Sequence, residues 1–384
     1  MGIDAMAGVE TGTSPGVRRR AVILGGAAAL AGLLVDRPAA IAADGPPPAA
    51  YLSAARGPEG YVLLLLDGDG HILERLALPG RGHGGAVSPD GRRAVLFARR
   101  PGTFMLCLDL GAAGEAPRSQ LVAAAPGRHF YGHGCHSADG RLLYAAENDP
   151  DGERGVIGIY DATAGYARLG EFDAHGIGPH DIALAADGRT LAVAVGGILT
   201  HPDAPRMKLN LSTMRPALVL MDARTGDLLA EAALPPSLHR LSLRHLACLP
   251  GGGVAIAGQW EGAADARPPL LGLLSSGGDF TLHAAPAEIA RRMANYVGSV
   301  ALSADATRLA LSCPRGDLVT IWQASGAFVG AVECADACGV AAERGGFMAT
   351  SGDGRVARLD ASLYATALEM AGLAFDNHLV RLPG

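Results

Sequence analysis

The sequence predicts an all-β fold, a seven-bladed β-propeller, and three observations predict it. One short pattern recurs seven times. Five copies carry a histidine at the same point: Gly82-His83-Gly84, Gly132-His133-Gly134, Pro179-His180-Asp181, Arg244-His245-Leu246 and Asn377-His378-Leu379. Gly298-Ser299-Val300 and Cys338-Gly339-Val340 fill the other two places. The anchor positions 83, 133, 180, 245, 299, 338 and 378 are spaced 50, 47, 65, 54, 39 and 40 apart. A mean of about 49 falls in the range of propeller blades. The second observation is the texture between anchors: runs of five to eight apolar, partly β-branched residues, broken by Gly, Asp, Pro and Ser, with few helical periods. That texture belongs to many short strands. The third is a remainder. The runs sort in fours, leaving three at the start and one at the end. One C-terminal strand joining three N-terminal strands makes a seventh blade and removes the open sheet edges, which an ordinary two-sheet sandwich array retains.

Taken in order, the chain opens on an address. Arg18-Arg19-Arg20 precedes an apolar run over 21–35, then a small-residue site at Ala40-Ile41-Ala42. A charged region, an apolar region too short for a membrane span and an A-x-A site read as a cleaved export signal over 1–43. The adjacent arginines point to the twin-arginine route, although Val17 and Ala21 depart from the usual flanking residues. Pro46-Pro47-Pro48 makes 44–49 a short extended tether, and 50–384 is the propeller. Its strands are expected at 51–56, 61–67 and 72–78. Blade 1 follows at 83–88, 92–99, 103–110 and 120–125, and blade 2 at 134–138, 142–147, 156–161 and 167–172. Later blades keep that rhythm, and 378–382 closes the ring.

Composition narrows the function. The leader holds four of 32 basic and three of 38 acidic residues, so the mature chain carries 28 against 35, a net of −7. No basic field suits nucleic acid, and no stable membrane span remains after cleavage. Six cysteines would meet an oxidising compartment. Most sit in apolar runs as small core residues, and Cys334 and Cys338, four apart, are candidates for a disulfide that the sequence does not fix. C-x-x-C-H, P-loop, G-x-S-x-G and H-E-x-x-H motifs are absent, and Gly176-x-Gly178 opens no helix. Neither covalent haem nor a nucleotide is expected.

In a propeller the start of the innermost strand and the loop between strands two and three share one face. The histidines and the polar insertions at 148–155, 196–215, 259–268 and 313–317 therefore fall on one face, opposite tight turns such as Ser88-Pro89-Asp90-Gly91. His133, His180, His245 and His378, with His83 as a fifth, are the candidate ligands for copper, iron or zinc. The competing role is to tie loop backbones between blades. Asp181, Arg244 and Asn377 stand beside them as candidate orienting partners. Lys208 is the one lysine among 31 arginines. With Asn210 it lies in the longest insertion, as a contact for a carboxylate or phosphate or as a loop-anchoring ion pair. Glu147 and Asp149, near Asp151 and Glu153, offer oxygen ligands for a hard cation without EF-hand order, or a solvated acidic loop. Trp260, beside Gln259 and Glu261, is a candidate for the funnel wall.

These stretches together resemble the family numbered 1513 among domains of unknown function. The matching segments include Gly132-His133-Gly134, Tyr144-Ala145-Ala146-Glu147-Asn148-Asp149, His175-Gly176-Ile177-Gly178-Pro179-His180, Thr200-His201-Pro202-Asp203, Lys208-Leu209-Asn210, Leu243-Arg244-His245-Leu246 and Asp376-Asn377-His378-Leu379. The resemblance implies an exported propeller related to the WD40 and YVTN groups. It also implies periplasmic neighbours of imelysin-like and di-haem peroxidase-like kinds, hence iron or copper handling, with no settled activity to carry over. His136 departs from an apolar aromatic that looks usual there, and is not expected to be a ligand. The leading expectation is a non-catalytic periplasmic protein binding or relaying a transition metal. The alternatives are a scaffold for those neighbours, or a hydrolase or lactonase using Glu147, Asp149 and a metal-bound water.

Overall fold

The computed structural model describes residues 48–111, 115–204 and 207–383. The export signal expected over 1–43 lies outside them, as does most of the tether. The first strands are β1 (Tyr51–Gly57), β2 (Gly60–Leu66) and β3 (Ile72–Leu78). Blade 1 is β4 (Gly82–Val87), β5 (Arg93–Ala98), β6 (Phe104–Asp109) and β7 (Arg118–Ala123). Blade 2 is β8 (His129–His136), β9 (Leu142–Asp149), β10 (Arg154–Asp161) and β11 (Ala167–Asp173). Blade 3 is β12 (Pro179–Leu184), β13 (Thr190–Val195), β14 (Ala217–Asp222) and β15 (Leu228–Ala233). Blade 4 is β16 (Leu241–Cys248), β17 (Val254–Trp260), β18 (Leu271–Leu274) and β19 (Phe280–His283), followed by the short helix α1 (Ala287–Arg292). Blade 5 is β20 (Ser299–Leu302), β21 (Arg308–Cys313), β22 (Leu318–Gln323) and β23 (Phe328–Glu333). Blade 6 is β24 (Ala337–Glu343), β25 (Gly346–Ser351), β26 (Arg355–Asp360) and β27 (Ala365–Glu369). The last strand, β28 (Ala374–Arg381), pairs antiparallel with β1 and gives blade 7 the order β28-β1-β2-β3.

Each sheet is antiparallel and four-stranded, and the innermost strands touch in a closed circle: β28, β4, β8, β12, β16, β20, β24 and back to β28. The sequence explains the layering. Second strands lie between neighbouring blades on both faces, so they read as unbroken apolar runs. Leu191 to Val195 of β13 are wholly buried, and Phe97 of β5 stacks on Phe130 of β8 at 5.7 Å across the blade 1–blade 2 seam. Each such side chain contributes about 1.5–3 kcal/mol of burial. Outer strands such as β7 and β15 are exposed; β7 opens on the polar Arg118, Ser119 and Gln120, while β15 leaves Leu228 and Leu229 exposed. The tight turns are built by Ser-x-Asp: Ser88 Oγ donates to Asp90 at 2.6 Å and accepts from the Arg93 N–H at 2.9 Å, and Ser137 and Ser303 repeat the bond to Asp139 and Asp305.

Three expectations need correction. Three innermost strands begin earlier than expected, β8 at His129, β16 at Leu241 and β28 at Ala374, so His133, His245 and His378 lie within strands, while His83, His180, Ser299 and Cys338 stand at the first or second residue of theirs. The segment 148–155 is no long insertion: β9 and β10 run on to leave only 150–153 between them. Asn148 and Asp149 are polar yet buried with partners inside the strand, while Asp151 and Glu153 are exposed. The insertion at 196–215 does lie between β13 and β14, whereas the one at 259–268 begins only at 261, because β17 runs on to Trp260. Finally, Cys334 and Cys338 are free thiols, as are the other four cysteines.

Candidate metal centre

Each histidine sits at an irregularity in its strand. Opposite β5, the register passes from Gly82↔Ala98 to Gly85↔Leu96, and opposite β9 from Phe130↔Glu147 to Gly134↔Ala145. It slips by one between Pro179 and Asp181 and between Leu243 and His245. In blade 7, Phe375 and Leu379 pair with Ala55 and Ser53, so Asp376, Asn377 and His378 stand opposite Ala54 alone. A bulge leaves a residue outside the ladder and re-aims its side chain. In β4, β8, β12 and β28 the histidine itself stands outside the ladder, while in β16 the unpaired residue is Arg244 and His245 pairs with Ala257 beside it.

The five rings form a tight circuit drawn in around His133, whose centroid also lies 4.5 Å from that of His378 and 5.6 Å from that of His245. Going round, the centroids are 4.6 Å apart for His378 and His83, 5.0 Å for His83 and His133, 5.1 Å for His133 and His180, and 5.0 Å for His180 and His245. His245 and His378 close it at 4.8 Å, across the two blades whose anchors are Ser299 and Cys338. All five rings are buried, none more than 8% exposed. The close approach demands small neighbours: a Cβ on Gly84 would stand 2.7 Å from His133 Nδ1, and one on Gly132 would stand 2.7 Å from His83 Cδ2.

Burial keeps His83, His180, His245 and His378 neutral. It pulls His83 down to about 4 against the Asp376 hydrogen bond, which acts the other way. Burial also holds His180, His245 and His378 well below the ordinary imidazole range, and neighbouring charges add to it: Arg244 beside His180, the His133 ring beside the other two. Neutral imidazoles present lone pairs, and several of these meet nothing. Both ring nitrogens of His245, and Nε2 of His133 and His378, are buried without a hydrogen-bond partner. Each such atom costs about 1–3 kcal/mol if left unpaired. Nitrogens of His133, His245 and His378 lie within 4.8 Å of one another, as do those of His83, His133 and His180.

The flanks orient the rings. His83 Nδ1 is 2.7 Å from Asp376 Oδ1, and Arg81 pairs with the same carboxylate. Burial raises Asp376, yet the His83 hydrogen bond and the Arg81 charge outweigh it and hold the carboxyl well below its usual range. Asp376 is thus an anion that receives the His83 Nδ1–H and leaves Nε2 as a lone pair. His133 Nδ1 stands 3.3 Å from Asp181 Oδ1, whose partner oxygen accepts the Leu246 N–H at 3.2 Å. Arg244 reaches His180 Nδ1 at 3.3 Å. Asn377 does not reach a histidine; its Nδ2 donates to the Tyr296 hydroxyl at 3.2 Å. Lys208 pairs with Glu261, and Asn210 braces the insertion, accepting from the Leu199 N–H at 2.7 Å and donating to the Gly197 carbonyl at 2.9 Å. Glu147 and Asp149 turn outward. Glu147 accepts from Tyr160 and from Arg168 at 2.9 Å, and Asp149 from Arg154 at 2.9 Å. Neither joins the histidines. Trp260 donates to the Ala263 carbonyl at 3.0 Å within its own loop. His136 is buried but separate, 6.4 Å from the Tyr166 ring.

Asp376, Arg81 and Tyr296 were not legible as site residues. Asp376 lies two residues before His378 in sequence, and only the bulge reveals that it serves His83, 293 residues away. A cleft of about 240 Å³ between blades 6 and 7 opens on Arg81, Asp376, Asn377 and Cys338.

The family described as a protein of unknown function, DUF1513, matches residues 76–382. Among solved structures, a chain of hydrazine synthase from Kuenenia stuttgartiensis is similar, with a TM-score of 0.55 at 16% identity over 89% of this chain and 100% of that one. That likeness shows the fold. No curated protein matches.

Proposed function

This chain belongs to the DUF1513 family, and from that premise we propose that it is an exported protein whose axial histidines bind a transition metal, copper, iron or zinc. The observation that carries the reading is the set of orphaned nitrogens on His133, His245 and His378, gathered within 4.8 Å in a buried space. A metal accepting their lone pairs relieves that cost, and neutral imidazole suits these three ions. His83, with its Nδ1 held by Asp376, adds a fourth lone pair. A binding or relay role fits better than hydrolysis. The carboxylates beside the rings, Asp376 and Asp181, are engaged by His83, Arg81, His133 and backbone N–H groups. No free carboxylate therefore stands there as a base among the described residues. Iron or copper handling in the periplasm is the setting in which such a protein acts.

Metal-free protein dialysed against copper, iron and zinc salts, one at a time, tests this by elemental analysis. One of the three is taken up at one equivalent per chain. His245→Ala lowers its affinity by at least about 100-fold while keeping a cooperative melt. A folded wild-type chain that retains none of the three overturns the reading.

A further inference from the structure

Beside the imidazoles stands a layer of guanidiniums with too few anions. Arg81 leads into β4 and Arg99 follows β5, and the Arg99 N–H donates to the Arg81 carbonyl at 2.8 Å. Arg100 comes next in the chain. Arg244 occupies the β16 bulge beside His245, is 5% exposed, and its Nε has no partner. The two carboxylates of this layer are already engaged: Asp376 by Arg81 and His83, Glu261 by Lys208, with Arg244 at 3.7 Å from its other oxygen. Among the described residues no side-chain hydrogen bond or ion pair engages the guanidinium of Arg99 or of Arg100.

His180 adds a donor. A guanidinium can only donate, so the Arg244 contact makes His180 Nδ1 an acceptor and places the ring proton on Nε2. His180 therefore offers an N–H at its far nitrogen, where His83 offers a lone pair. A metal cation among neutral rings would add charge to a region already in surplus, and buried like charges without compensation are costly.

We infer that the centre takes an anionic oxygen ligand, a small carboxylate or an inorganic oxyanion, seated between the metal and the Arg99, Arg100 and Arg244 guanidiniums, with His180 Nε2–H donating to it. The inference rests on the metal reading for one of its two contacts. Its other contact, the arginine layer, exists without metal. A cleft of about 240 Å³ reaches Arg81 and Asp376 at the edge of this layer.

Calorimetric titration with oxalate and with inorganic phosphate, on metal-free and on copper(II)-loaded protein, separates the two. At least one anion binds the metal-free chain at one site, and binds at least tenfold tighter once copper is loaded. By reciprocity it tightens copper to the same degree. Arg244→Gln weakens the anion at least tenfold in both forms. Should that buried substitution unfold the chain, the half-buried pair Arg99→Gln and Arg100→Gln gives the same loss. Copper uptake without any anion effect overturns the inference and leaves the metal reading standing. Arginine-dependent anion binding without copper uptake removes the metal reading and keeps the anion site. Anion binding that ignores these arginines overturns the inference whatever the metal does.

Discussion

At the scale of single residues, burial without a partner separates function from accident. His245 and His136 share the same symptom, two ring nitrogens with no hydrogen bond. His245 lies among four other imidazoles, so a shared ion can satisfy it. His136 has no second imidazole beside it, only the Tyr166 ring and the nearby Arg93 charge, and burial, with that charge adding, brings it down to about 4. His136 is therefore neutral in the fold and titrates near 6.5 when unfolded, so the unfolded chain takes up its proton first as pH falls. Its neutral burial is harmless to the pH profile above 6.5, and stability drains between 6.5 and 4, by about 3 kcal/mol in all. His136→Phe removes that drain and the unpaired nitrogens. Urea unfolding of the metal-free variant should show a gain of about 1–2 kcal/mol at pH 7 and a gain larger by about 3 kcal/mol at pH 4. Equal gains at both pH values would refute the assignment. The sequence marked His136 only by its departure from a resemblance. It marked the axial five by repetition, which is why they were legible when Asp376 and Arg99, occurring once each, were not.

At the scale of the strand, the bulge is the device that makes a site from a repeat. Regular strands would alternate their side chains and send neighbouring anchors to opposite blade faces. The extra residues at 131–133 and 376–378 instead aim His133 and His378 inward. Such a turn needs backbone that only glycine adopts cheaply: Gly132 has φ 108° and lies against the His83 ring. Gly132→Ala is expected to cost about 2–4 kcal/mol, from strain and from the displaced His83. It should also weaken metal uptake beyond what the lower stability explains, measured at a temperature where the variant stays folded. A variant as stable as wild type would show that the bulge is not held by this contact. Strand existence was legible because buried second strands are continuous apolar runs. Strand length in blade 2 was not, because Glu147, Asn148 and Asp149 look like a loop until Tyr160, Arg168, Arg154 and the Thr200 carbonyl are seen to satisfy them.

At the scale of the molecule, the site exists only because the circle closes. Three leading strands and one trailing run already implied closure in the sequence, and β28 against β1 fulfils it. That same strand carries His378 and Asp376, so the seam holding the ring together also carries two members of the centre. Opening the seam costs both. Arg56 and Ala374 are directly paired across it, one pair beyond the edge of the bulge. Cross-strand neighbours lie about 4.5–5.5 Å apart, within disulfide reach. Replacing both by cysteine ties the chain into a loop of more than three hundred residues, with an expected gain of about 3–5 kcal/mol from the restricted unfolded state. The bond should form on mild oxidation, appear in the peptide map as 56 linked to 374, and raise the melting temperature reversibly with reductant. Metal uptake should stay unchanged, since neither residue faces the imidazoles. If oxidation links either new cysteine to a native one instead, the trailing strand does not rest on β1, and the geometry that gathers five histidines at one axis falls with it.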